Sequence, residues 1–195
     1  QSLASGGEPL RLAKRTRPDR PVKIVALCDV SGSMMDYARP FLAFLAGLMR
    51  ADSASDAYLF HTRLVRITNA LRDDDPFRAL NRIALLADGF GGGSKIGANL
   101  RQFSDSYARN FVDGRSVVII LSDGYDSENP EVLGTALAKL KRRGCKVIWL
   151  NPLKGWKGYE PVAQGMAAAL PHLDAFAAAT TLIDLANLEH MLARL

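Results

Sequence analysis

Cysteine and histidine are scarce in this chain. Its 195 residues include two cysteines, Cys28 and Cys145, and three histidines. Two cysteines indicate no disulfide framework, so a reducing cytoplasm is the expected location. The three histidines are His61, His172 and His190, and no two of them have the spacing of metal ligands. We therefore assign ordinary structural roles to all three.

Long apolar runs are also missing. No stretch approaches the ~20 apolar residues that a helix needs to span a bilayer, so we expect no membrane insertion. The first residues are polar and basic, and they lack the apolar segment of a signal peptide. The chain starts at Gln1 without an initiator Met, which is typical of a processed chain or a fragment.

Familiar catalytic signatures are absent as well. The glycine-rich stretch at 91–94 lacks the Gly-Lys-Ser/Thr ending of a P-loop, and no Gly-x-Ser-x-Gly elbow or Ser-His-Asp set stands out. We therefore expect a protein that is not an enzyme. The alternative is a Mg²⁺-dependent phosphohydrolase that uses Asp29, although Ser31 stands where a second acid would be needed and no general base is evident.

The positive charge is concentrated in two segments. The formal net charge is +5, and residues 1–20 form a basic arm, which we interpret as part of a truncated preceding region. A second cluster at 139–146 falls in the last turn of a predicted helix, where cations favour the helix dipole. A solvated tail and a solvated helix end are the simpler interpretations. An RNA-associated protein is the alternative, and the arm alone supports it.

The remaining residues, 21–195, are expected to form one globular domain, because 48% of the residues are apolar and 23% are charged. Val22–Cys28 and Ser116–Leu121 are continuous apolar runs, which are typical of parallel strands buried on both faces. Further strands are predicted at 57–61, 64–67, 145–150 and 172–177. The short link after His61 indicates a hairpin, and therefore an antiparallel edge strand.

Helical patterns alternate with these strands. The first helix is predicted to start at Asp36 as its cap, with Pro40 in its first turn. Others are predicted from Asp73 to about Ala87, and over 96–111, 130–144, 161–170 and 182–195. The alternation predicts an α/β fold with a doubly wound, mainly parallel six-stranded sheet and one antiparallel edge strand.

Oxygen-bearing side chains follow the two buried strands and precede one helix. Asp29, Ser31 and Ser33 leave the first strand, Asp123 leaves the fourth, and Ser94 comes just before a helix. Ligands of open α/β sheets bind at the carboxyl ends of the strands, so these five groups converge if the two strands are neighbours. Carboxylates and hydroxyls suit a hard cation such as Mg²⁺. The simpler alternative for residues 29–33 is a turn with helix caps.

These stretches resemble the von Willebrand factor A (VWA) domain over about residues 20–195. Asp29-Val-Ser-Gly-Ser33, Gly-Gly-Ser94 and Ser-Asp123-Gly follow the pattern of its metal-ion-dependent adhesion site (MIDAS), which is Asp-x-Ser-x-Ser, a distant Thr and a distant Asp. The CoxE-like bacterial subfamily is the most similar. The stretches that support it are Gly92–Gly97, Leu121–Asp126 and Val147–Pro152.

The resemblance implies a metal-dependent protein-protein interaction module. Its metal ligands would be Asp29, Ser31, Ser33, Ser94 and Asp123, and a partner's Asp or Glu would complete the shell of Mg²⁺, with Mn²⁺ or Ca²⁺ as alternatives. Similar proteins work beside a MoxR-type AAA+ ATPase in metalloenzyme maturation, so that ATPase and its client enzyme are the implied partners. Ser94 departs from the usual Thr, and the lost methyl puts metal affinity in question.

Some polar and aromatic residues near these motifs have other interpretations. Asp88 and Asp126 are expected to be loop acids rather than direct ligands, and Asp126 is a candidate for supporting a ligand. Trp156 and Tyr159 lie in a predicted loop. They are either anchors for a partner or side chains that fold back onto the core.

Overall fold

The centre of the molecule is a single sheet with helices on both faces. This computed structural model describes residues 22–73 and 94–192. The strands are β1 Lys23–Asp29, β2 Asp56–Phe60, β3 Leu64–Arg66, β4 Ser116–Leu121, β5 Lys146–Asn151 and β6 Ala175–Ala178. The helices are α1 Met35–Ala51, α2 Thr68–Leu71, α3 Ile96–Gln102, α4 Ala108–Phe111, α5 Pro130–Lys141, α6 Gln164–Ala169 and α7 Leu182–Leu192, and a π-helical turn, Phe103–Tyr107, joins α3 to α4.

The sheet has six strands in the order β3-β2-β1-β4-β5-β6. Its neighbouring strands are parallel except β2 and β3, which pair antiparallel at one edge. This confirms the predicted fold class, including the hairpin that makes β3 the antiparallel edge strand. The loop from Phe60 to Leu64 is too short for the crossover that a parallel pair requires.

The buried strands divide the core into two layers. On one face of the sheet, Ala26 and Cys28 of β1 belong to a cluster that includes buried side chains of α1 and α7. On the other face, Val25 and Leu27 belong to a cluster with α3, α5 and α6. Successive side chains of a strand point to opposite faces, so a strand covered on both sides must be apolar throughout. The continuous apolar runs in β1 and β4 follow from this.

The strand order reverses at β1, and this places the functional edge. β1 pairs with β2 on one side and with β4 on the other, with Cys28 opposite Leu121 in the register. The residues that follow these two partners, Asp29 and Ser122, therefore leave the sheet side by side. This is the type of crevice in which doubly wound sheets bind ligands.

The start of α1 differs from the prediction. A 3₁₀ turn, Gly32–Met34, precedes the helix, and Met34 rather than Asp36 is the cap residue, without a side-chain capping bond. Asp36 lies inside the first turn, where its charge favours the helix dipole. Pro40 is the sixth residue of α1 and not in its first turn, so the carbonyl of Asp36 loses its helical partner.

The last edge strand is shorter than predicted. A 3₁₀ turn, Leu170–His172, follows α6, and β6 begins only at Ala175. Pro171 has no N–H to donate to a ladder, and this favours the turn over a strand. The predicted helix from Asp73 to Ala87, the glycines at 91–93, Asp88, the basic arm and residues 193–195 fall wholly or almost wholly outside the described residues.

The structure describes the two cysteines and the helices that lack long apolar runs. Cys28 and Cys145 are both buried free thiols, and burial raises the pKa of Cys28 well above its ordinary value and that of Cys145 to about 11. Such thiols are mainly protonated at neutral pH and therefore unreactive. Among the helices in the described ranges, none has the length and apolar content needed to cross a membrane.

Asp174, just before β6, provides a test of the packing at the opposite, amino-terminal edge of the sheet. Its carboxylate accepts hydrogen bonds from Lys141 Nζ, from Lys146 Nζ at 3.3 Å and from Val147 N at 2.8 Å. Burial alone would raise the pKa of Asp174, but these hydrogen bonds and the lysine charge outweigh it and hold the pKa below its ordinary 3.8.

Asp174→Asn should therefore lower the free energy of unfolding by about 1 kcal/mol at pH 7. A carboxylate with a lowered pKa stabilises the fold above its unfolded pKa and loses that contribution as pH falls through the folded value. The deficit should consequently shrink as pH falls below 3.8, because protonation of Asp174 removes the charge that the Asp174→Asn variant lacks at every pH. Urea unfolding at pH 7 and pH 2 measures this, and an equal deficit at both values would contradict the ion-pair explanation.

Candidate metal site

Three loops at the carboxyl edge bring the five predicted ligands together. Asp29 is the last residue of β1, and Ser31 and Ser33 lie in the turn that follows it. Ser94 precedes α3, and Asp123 follows β4. Direct contacts link all of these residues, so the convergence inferred from neighbouring strands is what the structure shows.

Asp29 lies at the base of the cluster. Its Oδ1 accepts hydrogen bonds from Ser31 N at 2.9 Å and from Ser94 Oγ at 3.4 Å. Its Oδ2 accepts from Ser122 Oγ at 2.8 Å. Each of the three loops therefore contacts the same carboxylate, and Asp29 joins them.

Asp123 lies nearer the opening of the cluster. Its Oδ2 accepts a hydrogen bond from Ser33 Oγ at 2.6 Å, and its Oδ1 accepts from Tyr125 N at 3.1 Å. The hydroxyls of Ser31 and Ser33 are 3.3 Å apart. Ser33 is exposed whereas Asp29 is fully buried, so the cluster opens to solvent on the side of Ser33.

Both carboxylates are buried, Asp29 to 0% and Asp123 to 4% exposure. Burial raises the pKa of Asp29 to about 6; hydrogen bonds from Ser31 and Ser122 oppose this rise, and the charge of Asp123 adds to it. Within the described parts of the chain, neither carboxylate pairs with a lysine or an arginine. Two buried carboxylates in contact with one set of hydroxyls are electrostatically unfavourable unless a cation lies between them.

The donor set fits a hard divalent cation. All five groups offer oxygen, and Mg²⁺ prefers carboxylate, hydroxyl and water oxygens in octahedral geometry. No cluster of three or more His, Cys, Asp or Glu side chains arranged to hold a metal occurs among residues 22–73 and 94–192. The five predicted ligands include only two charged groups, Asp29 and Asp123. Five protein oxygens would leave at least one position of an octahedral shell open.

Sequence reasoning missed Ser122 and Asn151, which hold the site together. Besides its bond to Asp29, Ser122 Oγ accepts from Gly124 N at 3.1 Å, and Ser122 O accepts from Trp149 Nε1 at 2.8 Å. Asn151 Nδ2 donates to the carbonyl of Asp123 at 2.9 Å. The sequence pattern could have indicated both residues, because each is a polar residue at the end of a buried apolar strand at this edge.

The two aromatic residues of the 151–160 loop adopt different roles. Tyr159 folds back, and its hydroxyl accepts a hydrogen bond from Asn151 Nδ2 at 2.9 Å. Burial and the nearby Tyr125 raise the pKa of Tyr159. Trp156 is 59% exposed, as is Tyr125.

His61 is buried after β2, and its carbonyl accepts from Lys95 N at 3.0 Å and Asn99 Nδ2 at 2.8 Å, which is a structural role.

Solved structures with this fold include metal-binding and membrane-related proteins. Proximal thread matrix protein 1 from the mussel byssus, with a zinc-occupied MIDAS motif, matches with a TM-score of 0.58 at 16% identity over 88% of this chain. This chain spans less than half of that protein, 46% of its length. An aerotolerance-related membrane protein from Bacteroides fragilis matches with a TM-score of 0.54 at 12% identity, over 90% of this chain and 100% of that one.

The pilus adhesin SpaC from Lactobacillus rhamnosus GG, in its open conformation, has a TM-score of 0.53 at 14% identity, over 91% of this chain and 30% of that one. At these identities the likenesses show the fold alone. No curated protein sequence matches the chain. The family model described as "VWA domain containing CoxE-like protein" matches residues 1–185 of the chain. The chain therefore belongs to the family of CoxE-like proteins that contain a VWA domain.

Proposed function

We propose that the chain is a metal-dependent protein-binding module that captures an aspartate or glutamate of a partner. The observation that supports this most directly is the oxygen cluster, in which two buried carboxylates meet three serine hydroxyls without a cationic side chain among the described residues. Asp29, Ser31, Ser33, Ser94 and Asp123 would hold Mg²⁺, with Mn²⁺ or Ca²⁺ as alternatives. When bound, the ion supplies an open position to which a carboxylate can bind.

The same cluster favours binding over catalysis. Serine hydroxyls and backbone amides make the hydrogen bonds to Asp29 and Asp123, and none of these groups is a general base at neutral pH. VWA domains are typically non-catalytic interaction modules. A bridge between the protein and a partner's carboxylate therefore fits the surroundings of the ion better than hydrolysis does.

The proposed partner is a MoxR-type AAA+ ATPase together with its client enzyme, in the maturation of a metalloenzyme. This rests on membership of the CoxE-like family. A cytoplasmic location is part of the proposal, with residues 21–195 as the VWA domain and residues 1–20 as a basic arm. The acidic residue that the site captures would then lie on an exposed loop of the ATPase or of the client.

Exposed apolar side chains lie on loops at the same edge of the sheet as the cluster. Tyr125 lies two residues after the proposed ligand Asp123, and Trp156 and Val162, which is 76% exposed, lie on the loop after β5 at the same edge. Binding energy at protein interfaces is concentrated in aromatic side chains near the centre of the contact. We therefore expect the partner to present an apolar side chain beside its acidic residue.

Trp156→Ala should weaken binding of the ATPase about 10-fold and leave Mg²⁺ affinity unchanged, because the hydrogen bonds that Trp156 makes within the described residues are backbone bonds with Leu153 and Tyr159 and not with a proposed ligand. Titration of the ATPase and, separately, of Mg²⁺ by calorimetry measures both. A variant that binds the ATPase as well as the wild type would remove Trp156 from the contact.

The function is tested by co-purification of the chain with a MoxR-type AAA+ ATPase from the same organism. Complex formation should require a divalent ion, and it should be lost in EDTA, restored by excess Mg²⁺ and lost in Asp29→Ala. If the complex survives both EDTA and Asp29→Ala, metal-mediated capture is wrong. If no complex forms under any condition although the chain binds Mg²⁺, the ATPase is the wrong partner.

A further inference from the structure

The third loop of the site, residues 122–128, contacts the first turn of α3 as well as the ligand cluster. Asp126 accepts hydrogen bonds from Ile96 N at 3.1 Å and from Gly97 N at 2.7 Å, one on each carboxylate oxygen. Glu128 Oε2 accepts from Ala98 N at 3.1 Å. Three consecutive N–H groups at the start of the helix are thus bound by side chains from another loop.

The residue between these two acids binds Ser94 directly. Ser127 donates to the carbonyl of Ser94 twice, from its backbone N at 2.9 Å and from its Oγ at 2.7 Å. The carbonyl of Ser94 is therefore fixed from the third loop. Its side-chain Oγ, on the same residue, lies 3.4 Å from Asp29 Oδ1.

The helix depends on these contacts because its own sequence lacks a cap. Lys95 occupies the capping position of α3 and makes no side-chain capping bond. The first N–H groups of a helix need acceptors from outside it, and carboxylates there also favour the helix dipole. Asp126 and Glu128 supply both, so the position of the first turn of α3 is set by the third loop.

Gly97 allows the close approach of the two segments. A methyl group at this position would lie 3.0 Å from Leu133 N and 3.2 Å from Asp126 Oδ2. These distances are shorter than normal carbon contacts, so a side chain would push the carboxylate of Asp126 away. The close approach of Asp126 therefore explains why a glycine stands at position 97, at the end of the stretch Gly-Gly-Ser94-Lys-Ile-Gly97.

We infer that Asp126 and Ser127 are positioning residues that hold the Ser94 hydroxyl in place and so set the affinity of the site for its metal. The inference rests on the proposed function of the cluster. The third loop would then supply one ligand, Asp123, and hold another, Ser94, which makes two of the three loops a single unit. Ser94 has no branching methyl to restrict its rotamer, and this increases the need for an external support.

Asp126→Asn and Ser127→Ala test the inference. Residues that orient a metal ligand typically change affinity by about 10–100-fold when they are replaced, so we expect Mn²⁺ and Mg²⁺ to bind about 10-fold more weakly in both variants. Mn²⁺ binding can be followed by its electron paramagnetic resonance signal, and Mg²⁺ by competition. Urea unfolding of each variant gives its stability in the same preparation.

Asp184→Asn is a matched control. Asp184 Oδ2 accepts from Thr180 N at 3.0 Å and Thr181 N at 2.8 Å at the start of α7, the helix that follows β6, and β6 lies two strands from β4 in the sheet. This control also removes the charge from a carboxylate that accepts two backbone N–H groups at a helix start. It should lower stability to a similar extent and leave metal affinity unchanged, so that a general loss of stability can be told apart from a loss of positioning.

Wild-type affinity in both Asp126→Asn and Ser127→Ala would overturn the inference, as would an equal loss in Asp184→Asn. Should Asp126→Asn fail to fold, Ser127→Ala decides alone, since it removes one of the two hydrogen bonds to Ser94 and retains the other. A wild-type chain that binds neither Mn²⁺ nor Mg²⁺ would overturn the proposed function first, and the inference with it.

Discussion

Asp123→Asn should reduce Mg²⁺ affinity by more than about 100-fold and leave the metal-free protein folded. Asparagine can reproduce the local hydrogen bonds, because its Oδ1 can accept from Tyr125 N and its Nδ2 can donate to Ser33 Oγ. The change therefore removes one of the two proposed charged ligands and little else. Residues that only support a ligand change affinity by about 10–100-fold, and a direct charged ligand should exceed that range.

The same substitution should stabilise the metal-free protein. The charge of Asp123 contributes to the raised pKa of Asp29, after the larger contribution of burial. Removing that charge relieves the repulsion between the two carboxylates, so the free energy of unfolding in EDTA should rise by about 1 kcal/mol. An increase in stability that accompanies the loss of metal binding is the signature of a site built around a cation.

Thermal unfolding in EDTA and in Mg²⁺ measures both effects. Mg²⁺ at about 100 times its dissociation constant should stabilise the wild-type protein by about 2.7 kcal/mol, and Asp123→Asn should show no such response. Asp105→Asn is the control for a change in net charge, because the side chain of Asp105 is 50% exposed and pairs with Lys139 on the surface. If Mg²⁺ leaves the wild-type melting temperature unchanged, or stabilises Asp123→Asn equally, the cluster is not a magnesium site.

The sheet and the loops that carry the proposed ligands could be predicted, because burial on both faces of the sheet determines the amino-acid composition of the central strands. A strand covered on both faces must be apolar throughout, so the runs ending at Cys28 and Leu121 located β1 and β4 within a residue of their observed ends. A polar residue that interrupts such a run marks the edge where ligands bind. Asp29 and Asp123 could therefore be placed at this edge of the sheet without any knowledge of their contacts.

Features that depend on contacts between loops could not be predicted in this way. The bond from Ser122 to Asp29 depends on how the chain turns as it leaves β4, and the bonds from Asp126 to α3 depend on the distance between two loops. Sequence proximity indicated only that Asp126 was a candidate supporting residue. The 3₁₀ turn before α1 likewise displaced the helix start, so Asp36 and Pro40 fell at other helical positions than their preferences suggested.

Gly165→Ala should be among the most destabilising single substitutions to alanine in the described residues. A methyl group on Gly165, in α6, would lie 2.5 Å from the carbonyl oxygen of Gly124 and 3.4 Å from Asp126 Cβ. Gly124 itself has a φ of 83°, a conformation in which a side chain is strained, so this turn cannot readily be rebuilt. Either α6 or the third loop must move.

Gly165→Ala should therefore cost about 2–3 kcal/mol of unfolding free energy, as overpacking of a close contact does. Gly47→Ala is the matched control, since Gly47 is an exposed residue of α1 and, apart from its chain neighbours and the backbone of its own helix, no atom lies within 4 Å of the added methyl. Alanine there should stabilise the protein by about 0.5–1 kcal/mol, because glycine in a helix interior is the poorer helix former. Urea unfolding of both variants measures the difference in sign. Because the displaced loop carries Asp123 and Asp126, the Gly165→Ala variant should also bind Mg²⁺ more weakly. If its free energy of unfolding and its Mg²⁺ affinity both equal those of the wild type, the contact between Gly165 and Gly124 does not constrain the site.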